Sequence, residues 1–196
     1  IEMLMVKHFA ADTDDWMVWH KNLSSNSHQL HLNTTDDEDT TKNAWGSNPV
    51  FDANVFRVGA TDETNKNSTG NSHVFFAFRS VPGVCKVGSY VGNGDAAGPY
   101  IDLGFKPAFF MAKQSSAVEN WVMLDDKRPN YNPTGGYLFA NLTNVEGGLG
   151  SEYVDFLSSG VKLRTTGASV NGSASFIYLA MADIGGNGTL PPIYGK

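Results

Sequence analysis

Cysteine is nearly absent from this chain. Cys85 stands alone among 196 residues, so no intrachain disulfide can form, and a free thiol fits folding in a reducing cytosol. Charge is sparse as well. Only 17% of the residues are Asp, Glu, Lys or Arg, below the usual quarter, so surface polarity must come from Asn, Ser, Thr and Gly. Basic clusters are missing: 14 Lys and Arg face 20 Asp and Glu, for a net charge of -6. Nucleic-acid binding runs on phosphate neutralisation, so no nucleic-acid partner is expected. No apolar run reaches the length of about 18 residues that a membrane span needs, and no membrane insertion is expected. Convincing helical periodicity over a full window is also absent. What the chain does have is 41% hydrophobic and 12% aromatic residues, enough for packed cores and against global disorder.

Those apolar residues come in an order that occurs twice. MLMVK from Met3, Trp16-Met17-Val18 and LHLNTTDDE from Leu30 run through the first half. FFMAK from Phe109, Trp121-Val122-Met123 and YLFANLTNVE from Tyr137 run through the second. Lys7 matches Lys113, Trp16 matches Trp121, Asn33 matches Asn141 and Glu38 matches Glu146. VFRVG from Val55 matches GVKLR from Gly160, and HVFFAF from His73 matches FIYLAM from Phe176. The offset stays near about 105 residues, too long for a solenoid unit and right for a small domain. The reading is a first module over 1–83, a second over 84–184, and a linker-like tail over 185–196. SYVGNGDAAGPYIDLGFKP from Ser89 has no counterpart before Met3. The first module is therefore expected to lack its leading strand, and the chain to be a cleaved or truncated part of a longer polypeptide. An open sheet edge near Met3 to Lys7 is expected to follow, of the kind that another chain usually covers.

The pattern predicts an all-β fold of two tandem antiparallel sandwiches. Met3 to Val6 reads as a buried strand and Trp16 to His20 as the next. Leu30 and Leu32 alternate with polar neighbours, the period of a half-buried strand. TTDDEDTTKN from Thr34 and ATDETNKNSTGNS from Ala60 read as polar loops. His73 to Arg79 is apolar on both faces, as in a central strand. Pro82-Gly83 marks the boundary between modules. Asn171-Gly172 predicts a tight hairpin turn before a last strand at Phe176 to Ala182.

No constellation carries clear chemistry. Gly92-Asn93-Gly94 with Gly98 resembles a phosphate loop, but a strand follows where a helix is required, so it reads as a turn. His28 and His31 would point to opposite faces of a strand and suit no shared ion, leaving solvent-facing imidazoles. Asp36 to Asp39 and Asp125-Asp126 are adjacent acids, not carboxyls set across a cleft, and no calcium-loop spacing occurs. No nucleophile elbow occurs, and nothing beside Cys85 activates its thiol. Trp16 and Trp121 are expected to fill equivalent cores. Six glycosylation sequons arise in a chain rich in Asn, Ser and Thr and carry little weight. The expectation is a non-enzyme with no catalytic residue, no metal and no cofactor.

One loop stands apart. DKRPNYNPTGG from Asp126 joins basic and aromatic side chains to two prolines and two glycines. Tyr and Arg are favoured in binding patches. Arg128, Tyr131 and Asn132 are the candidate ligand-binding residues; the alternative is an ordinary strand connection.

SYVGNGDAAGPYIDLGFKPAFFMAK from Ser89, NWVMLDDKRPNYNP from Asn120, and DFLSSGVKLRTTGASVN from Asp155 resemble a repeat domain of tailed-phage tail-fibre and virion-appendage proteins. That domain is common in marine and cyanobacterial phages, in chains described as SPRY-like or lectin-like. The resemblance covers about the whole chain, since 1–79 matches the preceding copy. It implies concanavalin-like or SPRY-like sandwiches in a virion surface protein assembled in the host cytoplasm. Its partners are then other virion proteins and a host surface glycan or receptor, in a homo-oligomer with a trimer favoured. The alternative is a capsid decoration or structural fibre protein with no receptor role. An enzyme digesting surface glycans is the third class.

Overall fold

The computed structural model describes residues 1–9, 14–41, 44–46, 49–58, 72–128, 131–147 and 154–182. The loop from Ala60 and the tail from Gly185 lie outside the described residues. The fold is all-β. In the first half β1 (Met3–His8), β2 (Met17–His20), β3 (Leu30–His31) and β6 (His73–Phe78) form one antiparallel sheet in the order β3-β2-β1-β6. A hairpin of β4 (Val50–Phe51) and β5 (Phe56–Arg57) stands beside it. In the second half β7 (Cys85–Val91), β9 (Pro107–Gln114), β10 (Val122–Asp125), β11 (Tyr137–Phe139) and β14 (Ser175–Ala182) form a sheet in the order β11-β10-β9-β14-β7. A smaller sheet of β12 (Val154–Leu157), β13 (Gly160–Leu163) and β8 (Tyr100–Asp102) packs on it. The duplicated sequence thus gives a duplicated strand order, with β7 as the extra member of the second sheet.

Among the described residues three apolar clusters lie between the layers. Strand side chains alternate between faces, and β1 uses both. Leu4 and Val6 pack with Trp19 and Trp45 toward the β4–β5 hairpin. Met3 and Met5 point the other way, into a cluster with Val87, Met111, Trp121, Ile177 and Leu179 of the second half. The third cluster joins Phe110, Val122 and Leu124 to Val154, Phe156 and Val161 of the smaller sheet. The described strands therefore stack in four layers, with the two large sheets back to back. This is why MLMV and FFMA read as unbroken apolar runs rather than alternating ones.

Repeated side-chain devices hold corresponding loops. The Trp16 amide donates to Asn33 Oδ1 at 2.8 Å, and the Trp121 amide donates to Asn141 Oδ1 at 2.9 Å. Asn33 Nδ2 then reaches Asp15, and Asn141 Nδ2 reaches Asn120. Lys7 Nζ donates to the Asp14 carbonyl, and Lys113 Nζ donates to the Gln114 and Ala117 carbonyls. Both lysines tie the connection that leads to the second strand of their sheet.

Four expectations need correction. The open edge is not at Met3 to Lys7: β1 is paired on both sides, by β2 and β6. Among the described residues the open edge is β6, which has no strand on the side where its match β14 pairs with β7. For the same reason His73 to Phe78 is an edge strand, not a central one. Trp16 and Trp121 sit at matching backbone positions but in unlike surroundings. Trp121 is buried between the two large sheets and donates Nε1 to the His31 carbonyl. Trp16 is half-buried and stacks at 6.3 Å on Phe76. Finally, Asn171-Gly172 is not a hairpin turn. Asn171 ends a one-turn helix, α1 (Ala168–Asn171), and its buried amide bonds the Asn93 amide and the Asp95 and Thr165 carbonyls. The glycine-rich turn at Gly92 is held there, as a turn and not as a phosphate loop.

Candidate binding surface

The loop that joins β10 to β11 is built on carboxylates. Asp125 Oδ1 accepts the Lys127 and Arg128 amides, each at 3.0 Å, which folds the chain into a tight turn just after β10. Its other oxygen takes Arg128 Nε at 2.5 Å. Burial pulls the Asp125 carboxyl up, but the bonds from Arg128 and Lys127 outweigh it and hold the group below its ordinary range. Arg128 Nη1 reaches Glu146 at 3.2 Å, so the guanidinium ties this loop to the next one, between β11 and β12. Glu38 does the same work in the first module. It accepts the Ser24 amide at 2.7 Å and His28 Nδ1 at 2.8 Å. The sequence match of Glu38 with Glu146 is thus a match of function within the fold: each is a carboxylate that joins two loops at the same end of its sheet.

The three candidate residues fall into two kinds. Asn132 is a structural pin, because Nδ2 donates to the Phe156 carbonyl at 2.8 Å and Oδ1 accepts the Phe156 amide at 2.9 Å. Arg128 is committed to two carboxylates, at 28% side-chain exposure. Tyr131 is different: it is 66% exposed. Across the Arg128–Glu146 tie, Val145 is 89% exposed. The described parts of the two loops thus present an aromatic and an apolar side chain beside acidic and basic groups. Such a surface can bind a ligand by contact.

The remaining candidates go the same way. His31 is buried, and His28 lies between Ser24 Oγ and Glu38, each at 2.8 Å. Neither is the solvent-facing imidazole that the strand pattern implied: Ser24 and Glu38 hold His28, and Gln29 and Asp36 stand against His31. Asp36 to Thr41 line a polar hollow of about 450 Å³ beside His31. Asp39 is engaged there by the Thr41 amide and hydroxyl. Among the described residues no three His, Cys, Asp or Glu side chains converge as metal ligands. Burial pushes the Cys85 thiol up, away from the reactive thiolate. No helix among the described residues is long and apolar enough to cross a membrane.

Sequence reasoning missed two polar groups between the large sheets. His20 lies on the Val18 face of β2, is buried, and accepts the Asn22 amide on Nδ1 at 3.1 Å. Burial lowers its pKa to about 4. Lys113 is fully buried, and burial lowers its pKa to about 8 against the pull of Asp37 and Glu119. The only sequence signal was a charged or titratable residue in line with apolar neighbours at period two. No curated protein and no solved structure matches this chain. One family model does match, over residues 1–184, and the chain belongs to that family, described as a domain of unknown function (DUF7483).

Proposed function

We propose that this chain is a surface component of a phage virion, part of a tail fibre or related appendage that contacts the host surface, with a glycan as the contacted chemistry. The observation that carries the reading is the loop pair after β10 and β11. It presents Tyr131 and Val145 on a frame held by Asp125, Arg128, Glu146 and Asn132. A tyrosine ring offers a flat apolar face with a polar tip, which suits the mixed surface of a sugar. Pre-fixed loops lower the ordering cost of binding. The resemblance of the second module to phage appendage repeats supplies the biological setting. The protein works in this reading by contact and not by turnover, in a homo-oligomer with a trimer favoured, whose several copies multiply a weak single contact.

A second reading, a structural virion protein without a receptor role, is favoured by one observation: the aromatic edge of β6 suits assembly better than sugar. Labelled antibody against the chain, viewed on virions by electron microscopy, separates the two. Label at the tail tip with host-cell binding by the purified chain, weakened tenfold by Tyr131→Ala, supports host contact. Label over the head without cell binding supports the structural role. Absence from the particle ends both. Incubation with host polysaccharide should release no reducing sugar, and sustained turnover abolished by one Asp or Glu substitution would establish an enzyme instead.

A further inference from the structure

The two large sheets allow a direct comparison of one edge with and without its neighbour. In the second module β14 carries β7. The Gly92 amide donates to the Ala174 carbonyl at 2.9 Å and the Ala182 amide to the Val84 carbonyl at 2.8 Å. These bracket a ladder in which Phe176, Tyr178 and Ala180 face Tyr90, Gly88 and Lys86. The matching residues of β6 are His73, Phe75 and Ala77. The Phe9 amide donates to the Ser72 carbonyl at 2.6 Å. Bonding alternates along an antiparallel pair, so the even-numbered residues of β6 bond β1. The N–H and C=O groups of His73, Phe75 and Ala77 therefore point outward, where no described strand pairs with them.

Side chains record the same difference. Tyr178 and Leu179 are 5% and 2% exposed under β7. Their matches Phe75 and Phe76 are 53% and 49% exposed. The fit of β7 is specific. Gly88 lies against Tyr178 so closely that a Cβ there would meet the ring at 2.6–2.9 Å, while Val87 pairs with Leu179 in the inter-sheet cluster. The open edge of β6 also runs into an apolar hollow of about 430 Å³ bounded by Ala77, Phe78, Cys85 and Met181.

We propose that β6 is a strand-accepting edge whose occupant is an extended segment of a partner chain with the pattern of β7: a small residue opposite Phe75, an apolar one opposite Phe76, antiparallel in register. Main-chain bonds to Phe75 and Ala77 supply affinity and alternate side chains supply selection. This site is separate from the host-contact loops and stands or falls without them.

The test uses the intact chain and a fluorescent peptide of residues 84–91 carrying Cys85→Ser. Saturable binding is expected, with new hydrogen-exchange protection at the Phe75 and Ala77 amides. N-methylation at the peptide's Gly88 position, whose N–H faces the ladder, should weaken binding tenfold or more. N-methylation at its Ser89 position, whose N–H faces away, should change it by less than threefold. Equal losses from the two peptides, protection elsewhere than β6, or no binding at millimolar peptide would overturn the proposal. So would self-association that blocks the peptide and that Phe75→Lys disperses, since the occupant would then be a second copy.

Discussion

Two tryptophans at matching positions show how little a single residue's identity says about its energetic role. Trp121 fills the space between the large sheets, and Trp16 leans on an exposed Phe76. Trp121→Ala is expected to cost about 3–5 kcal/mol, as large core truncations do, and Trp16→Ala about 1 kcal/mol. Urea unfolding of both variants measures this, and equal losses would mean that the two sites are packed alike. Lys113 makes the same point for charge. Its folded pKa lies near 8 and its ordinary value is 10.5. Between those values the unfolded chain binds more protons than the folded one, so stability rises with pH across that window, on the order of 3 kcal/mol in all. The difference in urea midpoint between the native chain and Lys113→Met, followed from pH 7.5 to 10, reads the effect. A difference that stays flat with pH would show that the ammonium is solvated.

At the scale of the element, the repeated order of strands was legible because each apolar run recurs with matching Trp, Asn and Lys neighbours. The edge was not. His73 to Phe78 and Phe176 to Met181 carry the same apolar pattern, yet among the described residues one is an edge and the other is covered by β7. Position in a sheet depends on which strand arrives beside it, and that is a long-range pairing. Gly88 is where the arrival of β7 is most constrained. A methyl group there must displace the Tyr178 ring, so Gly88→Ala is expected to destabilise by about 1–3 kcal/mol, the usual range for overpacking. Thermal unfolding checks it, and an unchanged midpoint would mean that the ring moves freely aside. The Asn171 misreading has a related cause. Asn-Gly favours a hairpin turn locally, but a buried amide with three backbone partners outweighs a turn preference.

Across the whole molecule the decisive feature is the back-to-back contact of the large sheets. Met3, Met5, Val18 and Leu30 from one half meet Val87, Met111, Trp121 and Ile177 from the other. Severing the chain between residues 83 and 84 exposes all of them. Each half made alone is expected to be insoluble or unfolded, and co-expression is expected to restore a soluble pair. Two soluble halves with cooperative unfolding of their own would show that the contact is dispensable. His20, buried in this contact, adds an acid sensitivity. Its folded pKa near 4 lies below the ordinary 6.5, so the unfolded chain binds more protons between those values. Stability should fall as pH drops from 6.5 to 4, by on the order of 3 kcal/mol. His20→Asn should flatten that part of the profile, and an unchanged slope would place the acid sensitivity elsewhere.

The sequence by itself determined the class and the duplication. Alternation, apolar runs and turn residues are local properties, and they specify strands without reference to the rest of the chain. It also marked the β10–β11 loop as unusual, through Arg128 and Tyr131 with prolines and glycines. Only the tertiary structure decided which of those side chains face outward, since Phe156 claims Asn132 and Glu146 claims Arg128 from other parts of the chain. The same holds for the open edge on β6, the unlike fates of Trp16 and Trp121, and the burial of His20 and Lys113. Each depends on groups distant in sequence meeting in space, and no local pattern encodes that meeting.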